Sequence, residues 1–198
     1  MTELNISSNY MGWKDGHGAS DTSGVIAISN AIPTMGALEK LLMGDNRING
    51  AEAGKALGDA LAANTVLKEL DLSENYSGPE FAKEFAVGLG ANGALTSVNI
   101  LSNNIGAEQA NELIAIMASK PNLKTLCGFS GDETELDLSN KGLSTGCGVL
   151  VANEVKNNGA LTSLNVSNNM LCGFYSDRSG GPYNGEGIKA ISSMLETN

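Results

Sequence analysis

The chain has 198 residues, which is long enough for one domain with a substantial core. With 41% hydrophobic and 17% charged residues, its composition is that of a globular protein and excludes a disordered chain. Twelve basic against 22 acidic side chains give a net charge of −10, which repels a phosphate backbone and argues against nucleic-acid binding.

Targeting and redox features point to a cytoplasmic protein. No uninterrupted apolar run approaches the roughly 18 residues that a membrane helix needs, and no basic-then-apolar signal segment opens the sequence. The cysteines Cys127, Cys147 and Cys172 lack the spacing of a zinc site or a disulfide framework. We therefore expect free thiols, no membrane contact, and neither a metal nor another cofactor.

Six strand-like segments share one repeat frame, seen most clearly as L-x-x-L-x-V-x-x-N-x-L at Leu161–Leu171. In chain order, the second apolar position of each copy is Leu4, Leu41, Leu70, Val98, Leu136 and Leu164. The intervals are 37, 29, 28, 38 and 28 residues, so the base period is 28–29 with two enlarged units. A fixed period of this length is typical of repeat architectures.

Helical patterns lie between these strands, with apolar residues at i, i+3, i+4 and i+7. The segments are a short one near Gly24–Ile32, then Ala51–Asn64, Glu80–Ala91, Ala107–Lys120, Ser144–Asn157 and Glu186–Asn198. A strand and a helix of this size cannot bury their apolar faces alone. Stacked neighbours would bury them, with the strands in one parallel sheet and the helices in a second layer.

A polar asparagine recurs where each strand bends into its turn. It is present at Asn9, Asn46, Asn75, Asn103 and Asn169, and Lys141 breaks the series. A buried amide can both donate to and accept from backbone groups that have left the sheet. We therefore predict a structural asparagine ladder, with a differently built turn at Lys141.

The frame L-x-x-L-x-L-x-x-N-x-L in a 28–29-residue helical unit resembles the leucine-rich repeats, specifically their ribonuclease-inhibitor-like subtype. The resemblance covers essentially the whole chain. It implies a right-handed α/β solenoid, a horseshoe segment with a concave parallel sheet and outer helices. It also implies a single domain, with units near 2–37, 38–66, 67–94, 95–132, 133–160 and 161–198, which acts as a non-catalytic protein-binding module.

Three insertions interrupt the repeat, at Gly12–Gly24, Cys127–Glu135 and Cys172–Gly185. The first and third hold much of the aromatic content, and their candidate binding residues are Trp13, Phe174, Tyr175, Arg178 and Tyr183. Aromatic and arginine side chains dominate protein interfaces, which favours recognition. The alternative is capping, in which these rings cover the apolar ends of the stack.

The outward positions of the strands predict the surface of the concave face. They are small, polar and acidic, and include Asp71, Asn99, Asp137 and Asn165. A protein or peptide partner with basic character would fit this face, which we take as a second candidate binding surface.

Two alternatives to an interaction module remain open. The loop Asp15–Asp21, with the single histidine His17, could ligate a metal in a metal-dependent protein or enzyme. Because no nucleophile elbow, Walker loop or dinucleotide fingerprint is present, the sequence predicts no enzyme. The chain could instead be a structural segment of a larger repeat array.

The first and last units correspond to one another. LNISSNYM and LNVSNNML match, as do VIAISNAI and IKAISSML, and Leu4 and Leu164 are 160 residues apart. If the sixth unit restates the first, the C-terminal unit of one copy could meet the first unit of another. The sequence therefore raises end-to-end self-association as a hypothesis.

Overall fold

The computed structural model describes residues 1–12, 21–173 and 183–196. The described strands are β1 (Glu3–Asn5), β2 (Lys40–Leu42), β3 (Glu69–Asp71), β4 (Ser97–Asn99), β5 (Glu135–Asp137) and β6 (Ser163–Asn165). The described helices are α1 (Ser23–Ala31), α2 (Gly50–Ala63), α3 (Gly78–Ala91), α4 (Ala107–Ser119), α5 (Thr145–Val155) and α6 (Glu186–Leu195), with a 3₁₀ turn at Ile32–Thr34. Each strand precedes a helix, which confirms an α/β fold of short strands and helices.

All strand pairs are parallel, and they pair in chain order. Leu4, Leu41, Leu70 and Val98 stand side by side in a four-stranded sheet, β1 to β4. Strands β5 and β6 form a separate two-stranded sheet in which Leu136 lies beside Leu164. The expectation of one continuous sheet through all six units is therefore wrong, because the sheet is interrupted after β4.

The interruption follows a strand copy that the repeat frame misses. Leu123 and Leu126 lie 28 residues after Leu95 and Val98, and the backbone there bonds to β4: the Val98 N–H donates to Thr125 O (3.0 Å). The chain then loops through Gly128–Thr134 before β5 begins. The repeat frame misses this strand copy because the copy has no turn asparagine. The residue 28 positions after Asn103 is Gly131.

The core lies between the sheet strands and the helices. The strand residues Leu41 and Val98 are fully buried, as are Phe81 and Phe85 on α3, whose rings stack with centroids 5.7 Å apart. Helices α2 and α3 approach closely at a pair of glycines, where a Cβ added to Gly88 would collide with the backbone of Gly58. Helices α2 and α3 thereby pack side by side in the helical layer behind the sheet.

A second set of asparagines ties the helix ends together, and the strand frame does not predict it. The side chain of Asn92 donates to Leu61 O (2.7 Å) and Asn64 O (2.9 Å), and its oxygen accepts from the N–H of Leu95 (2.8 Å). Asn64 has the same role in the preceding unit, where it donates to the carbonyl of Ile32 in the 3₁₀ turn. The signal was the 28-residue spacing of these two residues outside the strand frame.

Candidate functional site

The asparagine ladder holds the strand-end turns one above another. The N–H of Asn46 donates to Asn75 Oδ1 (2.8 Å), and the N–H of Asn75 donates to Asn103 Oδ1 (3.0 Å). Each side chain also donates back to strand carbonyls, as Asn75 does to Met43 and Leu72 (both 2.9 Å). Asn46, Asn75 and Asn103 are fully buried, so the turns are rigidly placed.

In the first three units, the residue after the ladder asparagine has a left-handed backbone conformation. Tyr10, Arg47 and Tyr76 occupy this position in the first three units, with left-handed φ angles of 55°, 58° and 57°. The tyrosine side chains are exposed, at 57% and 61%, and the Arg47 guanidinium lies over the Tyr10 ring at 5.8 Å from its centroid. We call these three residues the turn row.

The backbone conformation of the turn row is unfavourable for tyrosine and arginine. Bulky side chains rarely adopt positive φ, because Cβ crowds the following carbonyl at a cost of roughly 1–2 kcal/mol. The corresponding residue of the fifth unit is Gly142, whose φ is 64° and which adopts this conformation without that cost. Tyr10 and Tyr76 thus combine an unfavourable backbone conformation with a large, exposed side chain.

A groove extends the turn row toward the C-terminal units. It has a volume of about 480 Å³, and its lining includes Tyr76, Lys141, Gly142 and Met170. Glu74 and Lys141 place opposite charges on its lining. The interrupted sheet creates this groove, because the fifth turn does not follow directly on the fourth.

The outward-facing residues of the strands also stabilise the backbone that follows each strand. Asp71, Asn99, Asp137 and Asn165 each accept, through a side-chain oxygen, the N–H two residues onward, at 2.8–3.2 Å. The hydrogen bond from Ser139 lowers the pKa of Asp137. Lys40 pairs with Glu69 at 3.0 Å, and this contact raises the pKa of Lys40. The face is polar and predominantly acidic.

An internal carboxylate lies where the sheet is interrupted. Glu154 of α5 accepts from Thr125 Oγ1 (2.7 Å), from the N–H of Cys127 (3.1 Å) and from the N–H of Leu126. It thereby takes the place of the next strand's carbonyls. Burial raises the pKa of Glu154 and raises the pKa of the Cys127 thiol well above its ordinary value, so that thiol is a poor nucleophile.

A cavity of about 270 Å³ opens beside this carboxylate, and its lining includes Phe129, Glu133 and Asn158. Burial alone would raise the pKa of Glu133, but hydrogen bonds from the backbone and hydroxyl of the loop at Ser130 and Gly131 lower it overall. The Asn158 side chain donates to Glu133 O at 3.0 Å. Glu133 therefore has a structural role, because its carboxylate accepts hydrogen bonds from the backbone of its own loop.

The predicted aromatic loops are only partly described. Trp13, Phe174, Tyr175 and Arg178 lie outside the described residues, as do most of the loop Asp15–Asp21 and its His17. Tyr183 is described and is 80% exposed; a hydrogen bond with Cys172 raises the pKa of its phenol. Whether these loops cap the ends of the stack or bind a partner stays a prediction.

Metal and membrane features can be stated for the described residues. Within residues 1–12, 21–173 and 183–196, no three Asp, Glu, His or Cys side chains group closely enough to hold a metal ion. No helix in these ranges is both long and apolar enough to cross a membrane.

Comparisons with known proteins give no family. No family model matches the sequence, and no curated protein matches it. Among solved structures, Leiomodin-1 Actin-Binding Site 2 is 15% identical; the match covers all of this chain and 80% of that one, with a TM-score of 0.43. The tropomodulin C-terminal domain of Caenorhabditis elegans is 14% identical, with 87% and 92% covered and a TM-score of 0.48.

These matches correct the sequence interpretation. The likenesses are to leiomodin and tropomodulin domains and not to a ribonuclease-inhibitor-like leucine-rich-repeat protein, so that assignment is wrong. The physical reason for the error lies in what the frame encodes. Apolar spacing and a turn asparagine determine how one strand packs on the next, and different repeat subtypes can share that local geometry.

Proposed function

We propose that this chain is a non-catalytic interaction module that binds a protein or peptide through the turn row and the neighbouring strand face. The module would be a right-handed stack of strand–helix units forming one domain. The observation that carries the proposal is the exposure of Tyr10 and Tyr76 at strained positive-φ positions where Gly142 adopts the same conformation without strain.

The chemistry of the turn row supports recognition. Tyrosine supplies a large contact area with few rotatable bonds, and both tyrosine and arginine are enriched at interface hot spots. Arg47 stacked on Tyr10 is already held in place, so little side-chain entropy would be lost on binding. The acidic strand face beside the row favours a partner segment with basic residues.

Replacing both tyrosines with glycine tests the proposal. Glycine adopts positive φ without strain, so Tyr10→Gly/Tyr76→Gly should keep or raise the free energy of unfolding, by up to about 1–2 kcal/mol. Binding should fall, since the contact area is gone. The measurement is quantitative affinity capture from a cell extract with immobilised wild-type and variant protein, followed by urea unfolding of both.

Val87→Ala is the matched control. Val87 is 71% exposed and lies within α3, outside the strand-end turns. We expect Val87→Ala to retain every protein that the wild type retains, and the double variant to lose at least one by tenfold or more. Equal retention by all three proteins would refute the turn row as the binding surface. A large loss of stability in the double variant would instead show that the tyrosines are structural.

A further inference from the structure

Neighbouring units of the strand stack are joined by the same pair of hydrogen bonds. The two ends of the stack carry the donor side and the acceptor side of this contact. At each junction inside the four-stranded sheet, the asparagine N–H of one unit donates to Oδ1 of the next asparagine, and that asparagine's Nδ2 donates back to a strand carbonyl. Between the first two units, these bonds are Asn9 N–H to Asn46 Oδ1 (2.8 Å) and Asn46 Nδ2 to Ile6 O (2.8 Å). The same two bonds join Asn46 to Asn75, which donates to Met43 O (2.9 Å).

The N-terminal end holds the accepting half, which meets no other described residue. Asn9 Oδ1 accepts no hydrogen bond from a described residue, and its Nδ2 donates only within its own turn, to Ile6 O and Ser7 O. The Glu3 N–H faces away from β2, since its counterpart Glu69 donates backward to the preceding unit, at Glu39 O (3.0 Å). Leu4 is only partly buried, whereas Leu41 beside it is fully buried.

The C-terminal end holds the donating half. Asn169 Oδ1 accepts from Lys141 and Leu143, but the backbone N–H groups of Asn169 and Leu171 have no acceptor among the described residues. Among the described residues, the Val166 carbonyl accepts from the side chain of Asn169 in its own turn and from no other donor. Leu164 is partly buried, and a cavity of about 360 Å³ beside it is lined by Leu161, Met194 and Leu195.

The sequences of the two end units are similar. The first unit, LNISSNYM, acts as the preceding partner of β2, and the sixth unit, LNVSNNML, which shares four of its eight residues, acts as the following partner of β5. A contact between β6 and a second β1 would therefore use each unit in a role that the similar unit already performs. Glu3 would stand opposite Ser163, so no like charges meet across the strands.

We propose that copies of this chain associate head to tail, with β1 of one copy adding in parallel to β6 of another. The register places Glu3, Leu4 and Asn5 of the second copy beside Ser163, Leu164 and Asn165. Asn9 Oδ1 of the second copy accepts from the N–H groups of Asn169 and Leu171, and its Nδ2 donates to Val166 O. Because two different surfaces meet, the contact leads to an open chain or a closed ring. The proposal is independent of the proposed function, since it uses the strand ends and not the turn row.

The primary test measures the mass of the purified full chain by sedimentation velocity and light scattering, over about 10 µM to 1 mM. Wild-type mass should rise with concentration. Glu3→Pro removes one outward N–H at the first residue of an edge strand, where proline is tolerated. It should remain monomeric with an unchanged circular dichroism spectrum. A constant monomer mass for the wild type, or association unaffected by Glu3→Pro, would each overturn the proposal.

Charge substitution at Ser163 tests the register. Inside the sheet, Lys40 pairs with the directly opposed Glu69 at 3.0 Å. Ser163→Lys should reproduce that pair with Glu3 of the second copy and tighten association, by about twofold to fivefold, while Ser163→Glu should weaken it to a similar extent. Combining Glu3→Lys with Ser163→Glu should restore association. If both Ser163 substitutions change association equally, the register is wrong.

Discussion

At the scale of single residues, Glu154 shows how one side chain can stand in for a strand. The backbone of Thr125–Cys127 pairs on one side with β4, and its opposite side meets the Glu154 carboxylate and no further strand among the described residues. Buried backbone N–H groups need acceptors, and one carboxylate here serves two of them and a hydroxyl. The sheet can therefore stop without leaving these groups unsatisfied.

Glu154→Gln should change how stability depends on pH. Burial raises the pKa of Glu154 in the folded protein above its ordinary value of about 4.5, against the opposing hydrogen bonds, so the folded chain holds the proton to higher pH than the unfolded chain. The carboxyl's contribution is therefore full below pH 4.5 and is lost as pH rises through the folded pKa. The loss is about 1.4 kcal/mol per unit of pKa difference.

Urea unfolding at pH steps from about 4 to about 8 measures this effect. The free energy of unfolding of the wild type minus that of Glu154→Gln should decline across the window that starts near pH 4.5. Glu112→Gln, an exposed substitution on α4, is the control for the Glu-to-Gln change itself. Parallel pH profiles for the wild type and Glu154→Gln would contradict the prediction.

At the scale of elements, the spacing of α2 and α3 depends on small residues. A Cβ on Gly88 would meet the backbone of Gly58, and one on Gly54 would meet the backbone of Phe81. Backbone atoms cannot rotate aside as a flexible side chain can, so the helices would have to separate. The apolar spacing of the sequence predicts these helices, but it does not show which glycines touch a neighbour.

Two glycines of α3 give a matched pair of substitutions. Gly88→Ala should lower the free energy of unfolding by about 1–3 kcal/mol through overpacking against α2. Gly90→Ala should raise it by about 0.5–1 kcal/mol, because a Cβ there meets nothing within 4 Å and alanine favours the helix. Thermal and urea unfolding measure both, and a similar effect of the two substitutions would show that α2 and α3 do not pack this closely.

At the scale of the whole molecule, protection from solvent is greatest in the middle of the stack. The central residues of β2, β3 and β4 are 0–2% exposed, while those of β1, β5 and β6 are only partly buried. In stacked repeats each unit contacts its neighbours alone, so an end unit lacks half of its contacts. The interrupted sheet gives β5 the same disadvantage.

Hydrogen exchange should report this gradient. The Leu72 N–H donates to Asn99 O at 2.8 Å, whereas Val166, at the same position of the last described strand unit, has no acceptor among the described residues. In dilute solution the Val166 amide should exchange at least about tenfold faster than that of Leu72. Exchange measured by NMR or mass spectrometry checks this, and equal protection of the two amides would count against the stack ending at β6.

Much of the local structure follows from the sequence alone. The apolar spacing around Leu41, Leu70 and Val98 determines the strand positions and their register, because stacking like residues is the way each unit buries its face. The ladder asparagines were predictable for a related reason, since a turn that leaves a sheet needs an internal donor and acceptor. Such features depend on residues close together in the chain and repeated along it.

Only the tertiary structure decided where the repetition fails. The segment at Thr125 pairs with β4 and meets Glu154 on its other side. Glu154 is 29 residues further along the chain, and no local pattern links the two. The grouping of Tyr10, Arg47 and Tyr76 likewise arises when turns 29–37 residues apart are stacked by buried asparagines. Periodicity determines how neighbouring units pack, whereas breaks and surfaces are set by contacts between residues that the period does not relate.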